Sequence, residues 1–494
     1  MRDPFRSNSF RAGSIGRDTA WSFAYGAIVR AGTMGLSVVV ARLAGPAAAG
    51  AFGTALQLTA LGSMAATLNL PQGLAKRLAE GDEPPQRRAL LVASGGLVVS
   101  LGLIVCIALM LGAREIAARA YLDGSLTGVI LLTGPLVLAT ASQLWVEGAL
   151  QGSRRFGSLA RWGAVVGVVD LVLGVLAALG GVAAVLVSRT VIRLAAVAFA
   201  TFRWFGRDLA PRDSPPLART SPAGTAAARG LLQFAGPAFL SAVVVLAGQM
   251  LLRVFLTRRF GLEETGFYHA ADSIGQLLML VPTAAVTPLL RAVSSVHARG
   301  DVGFEDLLAR ALERVAGFNL ALSLALIGCS PWVVVMLYGG AFAGARDTLV
   351  SLGVAYGLYG LTSMWGAALL GRGEVWVSLI LNAIWTATTL GAFALIPGGG
   401  AGAAAWSVLI GYAVSLTTCV LWLPARWRIG TRRVLLPTAV GVAALSLAAW
   451  LTRAQWIPPI VAALLCLGVG AAIFHRWGLS SFAREPGEPA ARPE

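Results

Sequence analysis

The sequence predicts an all-α, polytopic membrane protein of about fourteen transmembrane helices, built as two pseudo-symmetric six-helix lobes around a central site, with two more helices behind them. Three observations predict it. Hydrophobic residues make up 57% of the 494 and charged residues 13%, with mean hydropathy +0.75, where a soluble domain carries about 25% charged residues. Apolar runs of the roughly 20 residues that cross a bilayer recur from end to end. One stretch, from Arg17 to Asp82, is also written twice. Its centre, Ala41-Arg42-Leu43-Ala44-Gly45-Pro46-Ala47-Ala48-Ala49-Gly50-Ala51-Phe52, returns as Thr257-Arg258-Arg259-Phe260-Gly261-Leu262-Glu263-Glu264-Thr265-Gly266-Phe267-Tyr268. Positions 42 and 258, 45 and 261, and 50 and 266 are each 216 apart. The echo continues through Pro71 and Pro288, Lys76 and Arg291, and Gly81-Asp82 and Gly300-Asp301. Duplicated multi-helix units in a membrane chain point to a transporter whose site lies at the interface of its repeats.

Residues 1–19 carry Arg2, Arg6, Arg11 and Arg17, and the apolar run behind them lacks a cleavage site, so 20–41 reads as the first spanning helix. The Gly45-Pro46 break separates it from 47–70. Spans at 89–112, 126–149, 160–180 and 182–204 complete an N-terminal lobe over 20–204. Residues 205–230, with Pro211, Pro215, Pro216 and Pro222, read as a cytoplasmic linker. The second lobe, 231–423, holds spans at 231–256, 264–290, 309–337, 346–370, 375–396 and 401–423. Two additional helices, 433–451 and 457–475, precede a cytoplasmic tail over 476–494, expected to be disordered from Ser480. Lys and Arg in alternate loops number 28 on the side of the N-terminus and 7 on the other, which puts both termini in the cytoplasm. The net charge of +16 is spread over these short loops, so it sets topology and marks no nucleic-acid surface. Cys106, Cys329, Cys419 and Cys466 each sit in an apolar run without paired spacing, as packing residues do.

An ionisable side chain at bilayer depth normally faces a cavity or a partner. Arg30 lies midway along the first span with no acidic neighbour in sequence, and a guanidinium is a natural bidentate partner for phosphate. Arg189 and Arg193, four apart, share one face of the sixth span and are further candidates for a diphosphate. Asp170 in the fifth span, Asp272 in the eighth and Glu147 near the inner end of the fourth are candidates for ion coupling or internal pairing; Asp170 stands at a depth that suits Arg189 or Arg193. Arg253 is expected to snorkel from the outer end of its helix. Pro237 and Pro282, in the helices that begin the second repeat, are hinge candidates. No Walker motif is present, Lys76 is the only lysine, and the three histidines, His269, His297 and His475, are scattered; neither a cofactor nor a metal site is expected.

The string from Arg30 through Ala41-Arg42-Leu43-Ala44-Gly45-Pro46 to Gly50-Ala51-Phe52 resembles the first hairpin of polysaccharide-biosynthesis flippases, members of the multidrug/oligosaccharidyl-lipid/polysaccharide superfamily. Phe234-Ala235-Gly236-Pro237 through Gly266-Phe267-Tyr268 to His297-Ala298-Arg299-Gly300-Asp301 resembles the start of their second lobe. The similarity spans about 17–425. It implies two lobes forming a V around a central cavity, and two extra C-terminal helices agree with the fourteen-helix members. In the related lipid II flippases an arginine twelve residues before the loop arginine faces the cavity and is linked to the substrate diphosphate; Arg30 holds that position relative to Arg42. Where those relatives have a second arginine six residues on, this chain has Leu36. Where polysaccharide flippases often carry an acid, just before the arginine matching Arg253, it has Leu252.

The expectation is a non-enzymatic flippase of the bacterial inner membrane. It would move a polyprenyl-diphosphate oligosaccharide by alternating access, within membrane lipid and alongside a polysaccharide polymerase or export machinery, without nucleic acid. A multidrug-type cation antiporter is the alternative, favoured if Asp170 and Asp272 build an acidic cavity. A polytopic glycan polymerase or glycosyltransferase would need a sizeable outer loop, and the longest expected here is Ala113–Ser125.

Overall fold

The computed structural model describes residues 12–79, 84–153, 155–206, 222–427, 431–453 and 457–479. Most of the expected linker, 207–221, and the tail from Ser480 lie outside them, as do residues 1–11. Apart from short turns, the described residues are helical, and none of them forms a strand. The α-helices are α1 (Ala12–Thr67), α2 (Leu70–Ala79), α3 (Pro84–Glu115), α4 (Thr127–Gly152), α5 (Phe156–Ala178), α6 (Gly181–Ala200), α7 (Pro222–Gly275), α8 (Leu280–His297), α9 (Phe304–Tyr338), α10 (Arg346–Gly371), α11 (Val375–Leu395), α12 (Gly400–Trp427), α13 (Thr431–Arg453) and α14 (Pro459–Ile473). Ten helical runs among the described residues are long and apolar enough to cross a membrane. The number falls below fourteen partly because α1 and α7 each run on where two spans were expected. Each bends at one glycine, Gly45 (φ 80°, ψ −176°) or Gly261 (φ 86°, ψ −179°), backbone that only glycine adopts readily. The expected outer loop Ala113–Ser125 is mostly helix too, since α3 continues as a π-helical turn through Tyr121.

Contacts divide the described residues into two compact units, the first within 12–36, 62–112 and 130–225, the second within 37–61, 113–129 and 226–479. In the first, Trp145 of α4 is the centre of an apolar core with Leu91, Leu150, Trp162 and Phe205, and its indole N–H donates to Ser94 Oγ at 3.0 Å. Glycines bring the helices together, as membrane helices require in the absence of a hydrophobic drive between them. Cβ atoms on Gly163 and Gly174 of α5 would collide with Tyr25 and Leu36 of α1, and one on Gly32 would lie 3.4 Å from the Gly167 carbonyl oxygen. α5 therefore lies directly against the first half of α1.

In the second unit the two copies of the repeated hairpin meet each other. A Cβ on Gly50 would strike the Leu262 carbonyl oxygen, and one on Gly266 would strike the Pro46 carbonyl oxygen. Shifting one contact by 216 residues gives the other, so the seam is a pseudo-twofold interface of backbone on backbone. Flanking polar groups close the hairpin tips. Arg42 donates to the Leu337 carbonyl at 2.7 Å and to that of Met336, at the C-terminus of α9. Arg259 donates to the Ile396 and Pro397 carbonyls at 3.1 and 2.9 Å, just past α11, which places cations where helix dipoles end negative. Glu264 accepts from the Ala401 amide at 2.6 Å, at the N-terminus of α12. The two additional helices belong to this unit: Gly328 of α9 lies against Ala463 and Cys466 of α14, and Gly441 of α13 against Leu320 and Leu361.

A clamp joins three loop ends of the second unit. Arg372 pairs with Asp301 at 2.8 Å and Glu374 at 3.4 Å, and its guanidinium lies over the rings of Phe304 and Trp427. Glu374 also takes Arg426 and the Trp427 indole, both at 2.8 Å. Partial burial pushes both carboxyls up. It is outweighed for Asp301 by the hydrogen bond from His297 and by Arg372, and for Glu374 by Trp427, Arg426 and Arg372, which leave both below the ordinary carboxylate range.

Two outcomes follow. Gly50→Ala and Gly266→Ala each press a methyl onto backbone that has no rotamer to yield, so each should destabilise by about 1–3 kcal/mol in detergent thermal unfolding, whereas Gly391→Ala, which meets open space, should not. Depressed carboxylate pKa values stabilise above the unfolded value and are lost as pH falls through the folded one. Acidification below about pH 4 should therefore lower the unfolding temperature of the wild type more than that of Arg372→Met, and equal losses would remove the clamp from that role.

Candidate functional site

Every ionisable residue singled out at bilayer depth in the first unit lies on α1 or on a helix packed near it. Arg189, 1% exposed, reaches Asp170 Oδ2 of α5 at 3.0 Å and Thr33 Oγ1 of α1 at 3.3 Å. Arg193, one turn on, donates to Thr140 of α4 at 2.5 Å. Glu147 accepts from the Tyr25 hydroxyl of α1 and from Gln143 Nε2 at 3.0 Å. Of the two arginines whose depth suited Asp170, Arg189 is the one that pairs with it, and α1 is tied by polar contacts to α4 and α6 and by glycine packing to α5.

Thr33, Gln143, Asp170, Arg189 and Arg193 line one cavity of about 20 Å³, room for a single water-sized group. A diphosphate does not fit inside it. Arg30 is not among the lining residues; it lies half-buried on α1, three residues before Thr33. One turn before Arg30, a Cβ on Gly26 would meet nothing within 4 Å.

The second unit holds a matching arrangement that the sequence did not disclose. Arg253 does not snorkel: it is 5% exposed and donates to Asp272 Oδ2 at 2.7 Å. Gln276 donates to the same oxygen at 2.9 Å, and the Tyr356 hydroxyl donates to the other. Arg253 also lies 5.3 Å from the Tyr268 ring centroid. The snorkelling expectation assumed a helix ending near Thr257. The helix instead runs on to Gly261, eight residues and about 12 Å beyond Arg253, and the segment after the kink brings Tyr268 and Asp272 back over the guanidinium. Only the repeat itself, which makes the second hairpin as tight as the first, carried that signal.

Of the hinge candidates, Pro237 lies in the first half of α7 and Pro282 is the third residue of α8, just after the 3₁₀ turn Gln276–Met279. Proline there removes an N–H that a helix start leaves unbonded anyway. No group of three potential metal ligands occurs among the described residues.

Removing one member of a buried pair strands the other at about 3–5 kcal/mol. Arg189→Leu and Arg253→Leu should each lower membrane abundance and unfolding temperature, and adding Asp170→Asn or Asp272→Asn respectively should recover most of the loss. Equal damage by single and double variants would contradict the pairing.

The family model described as polysaccharide biosynthesis protein matches residues 15–292. No curated protein sequence matches at a significant level. Among solved structures, the lipid II flippase MurJ in an inward closed conformation is similar at TM-score 0.71 and 13% identity, over 94% of this chain and 98% of that one. A MATE-family multidrug resistance transporter in an inward-facing conformation is similar at 0.66 and 17%, over 83% and 95%. A MOP superfamily transporter from Pyrococcus furiosus is similar at 0.63 and 16%, over 88% and 96%. At these identities the structures establish the fold alone, a multi-pass helical membrane fold shared with these proteins. With more than half of its residues under the family model, the chain belongs to the polysaccharide biosynthesis protein family.

Proposed function

We propose that the protein is a non-enzymatic flippase that carries a polyprenyl-diphosphate oligosaccharide across the bacterial inner membrane by alternating access, for surface polysaccharide or cell-wall glycan synthesis. The observation that carries this reading is the balance of embedded charge. Both aspartates, Asp170 and Asp272, are held by arginines. Among the residues at span depth on α1 and α4–α6, the arginines Arg30, Arg189 and Arg193 outnumber the acids Asp170 and Glu147 by one. A cation antiporter needs free embedded acid, and its two best acids are already consumed. A diphosphate needs embedded cation, and cations with low-dielectric surroundings attract it strongly.

Within this reading Arg30 holds the diphosphate. It lies at span depth on a helix secured by three neighbours, and its fork matches phosphate oxygens. Arg189 and Arg193 act behind it, fixing α1 through Thr33 and α4 through Thr140 while adding to the field. The family and the MurJ-like fold support a lipid-linked glycan as cargo.

Deleting the gene should leave lipid-linked precursor trapped on the inner face and deplete surface polysaccharide; unchanged polysaccharide without trapped precursor would overturn the reading. Arg30→Ala should abolish complementation at near-normal membrane abundance, and Arg30→Lys should retain part of it, since the charge survives and the planar fork does not. Full complementation by Arg30→Ala would remove that residue from the site.

A further inference from the structure

Besides Gly50 and Gly266, the pseudo-twofold seam brings a second pair of equivalent positions face to face. Residue 53 shifted by 216 is residue 269, and these two face each other: a Cβ on Gly53 would lie 2.5 Å from His269 Cγ and 2.6 Å from Nδ1. Two large side chains cannot share a symmetry axis, so one copy carries glycine and the other fills the space. The side chain that fills it is titratable. His269 is 4% exposed, stands edge-on to Phe52 with ring centroids 6.2 Å apart, and has Nε2 3.3 Å from Ser37 Oγ. Its Nδ1 is buried with no hydrogen-bond partner.

The neutral ring tolerates this setting, because a nitrogen lone pair can be left without a donor at modest expense. The imidazolium cannot, since both nitrogens then carry N–H groups and Nδ1–H meets Gly53 where no acceptor stands. The groups facing it from α1 are Gly53, Phe52 and Ser37, none of them charged. On its own helix the nearby charge is Arg253, like in sign and already engaged with Asp272, whose carboxylate is itself filled by Gln276 and Tyr356. The closed seam therefore offers a proton at His269 no counter-charge and no acceptor.

We propose that His269 is a proton-binding site that couples opening of the seam to uptake of one proton. A state in which the hairpins 37–61 and 253–277 part exposes the ring to water, where imidazole titrates near pH 6.5. Above that pH the ring is neutral in both states and acid has no effect. Below it only the open state gains the proton, so the closed-to-open ratio falls up to tenfold per pH unit. The role of such opening in a transport cycle rests on the flippase reading; the proton linkage does not, and is measured without substrate.

The test places spin labels at Ala47→Cys and Glu263→Cys, exposed positions 216 apart at the two hairpin tips, in a background lacking the half-buried Cys329. Pulsed-dipolar distances are recorded in nanodiscs between pH 5 and 8. In the wild type a longer-distance population should grow on acidification with a midpoint near pH 6.5, and in His269→Gln and His269→Asn the short distance should persist at every pH. A distance independent of pH in the wild type, or the same transition in both variants, would overturn the proposal. If the linkage holds but lipid-linked glycan is not moved, the flippase reading fails and the proton site stands.

Discussion

Backbone pressed against backbone at Gly50 and Gly266 is the contact on which the second unit depends. Lipid is as apolar as leucine, so helices in a bilayer gain little from hiding apolar side chains from it and must gain from close packing. Here the approach is close enough that only glycine fits on either side, and the same demand reappears by symmetry on the other copy. The kinks at Gly45 and Gly261 let each hairpin reverse without a loop. Arg42, Arg259 and Glu264 then fasten the tips to the ends of α9, α11 and α12. Sequence duplication and interface are one fact seen twice: a repeat that packs on itself must keep its glycines in register.

Charge is handled similarly in the two units and differs in one respect. Each unit buries an Arg–Asp pair, Arg189 with Asp170 and Arg253 with Asp272, in which the carboxylate is held by neighbouring helices or helix segments. Such pairs contribute little net stability but are damaging to break, so they fix register between helices. The first unit adds Arg30 and Arg193 against Glu147, one basic residue more than acidic at span depth. Its cavity is lined by a polar network and has room only for a water-sized group, while a Cβ on Gly26, one turn before Arg30, would meet nothing within 4 Å.

Much of this was legible in the sequence. Apolar run lengths located the helices, and the 216-residue offset located the seam's glycines, because a tight backbone approach leaves glycine as its trace. Depth counting offered Asp170 either Arg189 or Arg193, since adjacent antiparallel helices keep depth in register, and the structure pairs it with Arg189. The same counting failed for Arg253, because α7 continues past the expected surface to Gly261 and folds Asp272 back over it. Continuous kinked helices likewise turned four expected spans into two runs. The Arg372 clamp escaped notice because its members, Asp301, Glu374 and Trp427, come from loop ends far apart in sequence. His269 looked like one of three scattered histidines until the fold set it on the symmetry axis opposite Gly53.

The central claim is that the protein moves a diphosphate-linked lipid glycan between leaflets. The most direct measurement reconstitutes the purified protein in vesicles loaded with a fluorescent polyprenyl-diphosphate oligosaccharide and follows the fraction of label reached by an impermeant quencher. Protein-containing vesicles should expose nearly all of the label over time while empty vesicles stay at about half. Label that remains half-protected, in vesicles where the same protein extrudes a lipophilic cation, would contradict the claim and assign the chain to cation transport instead.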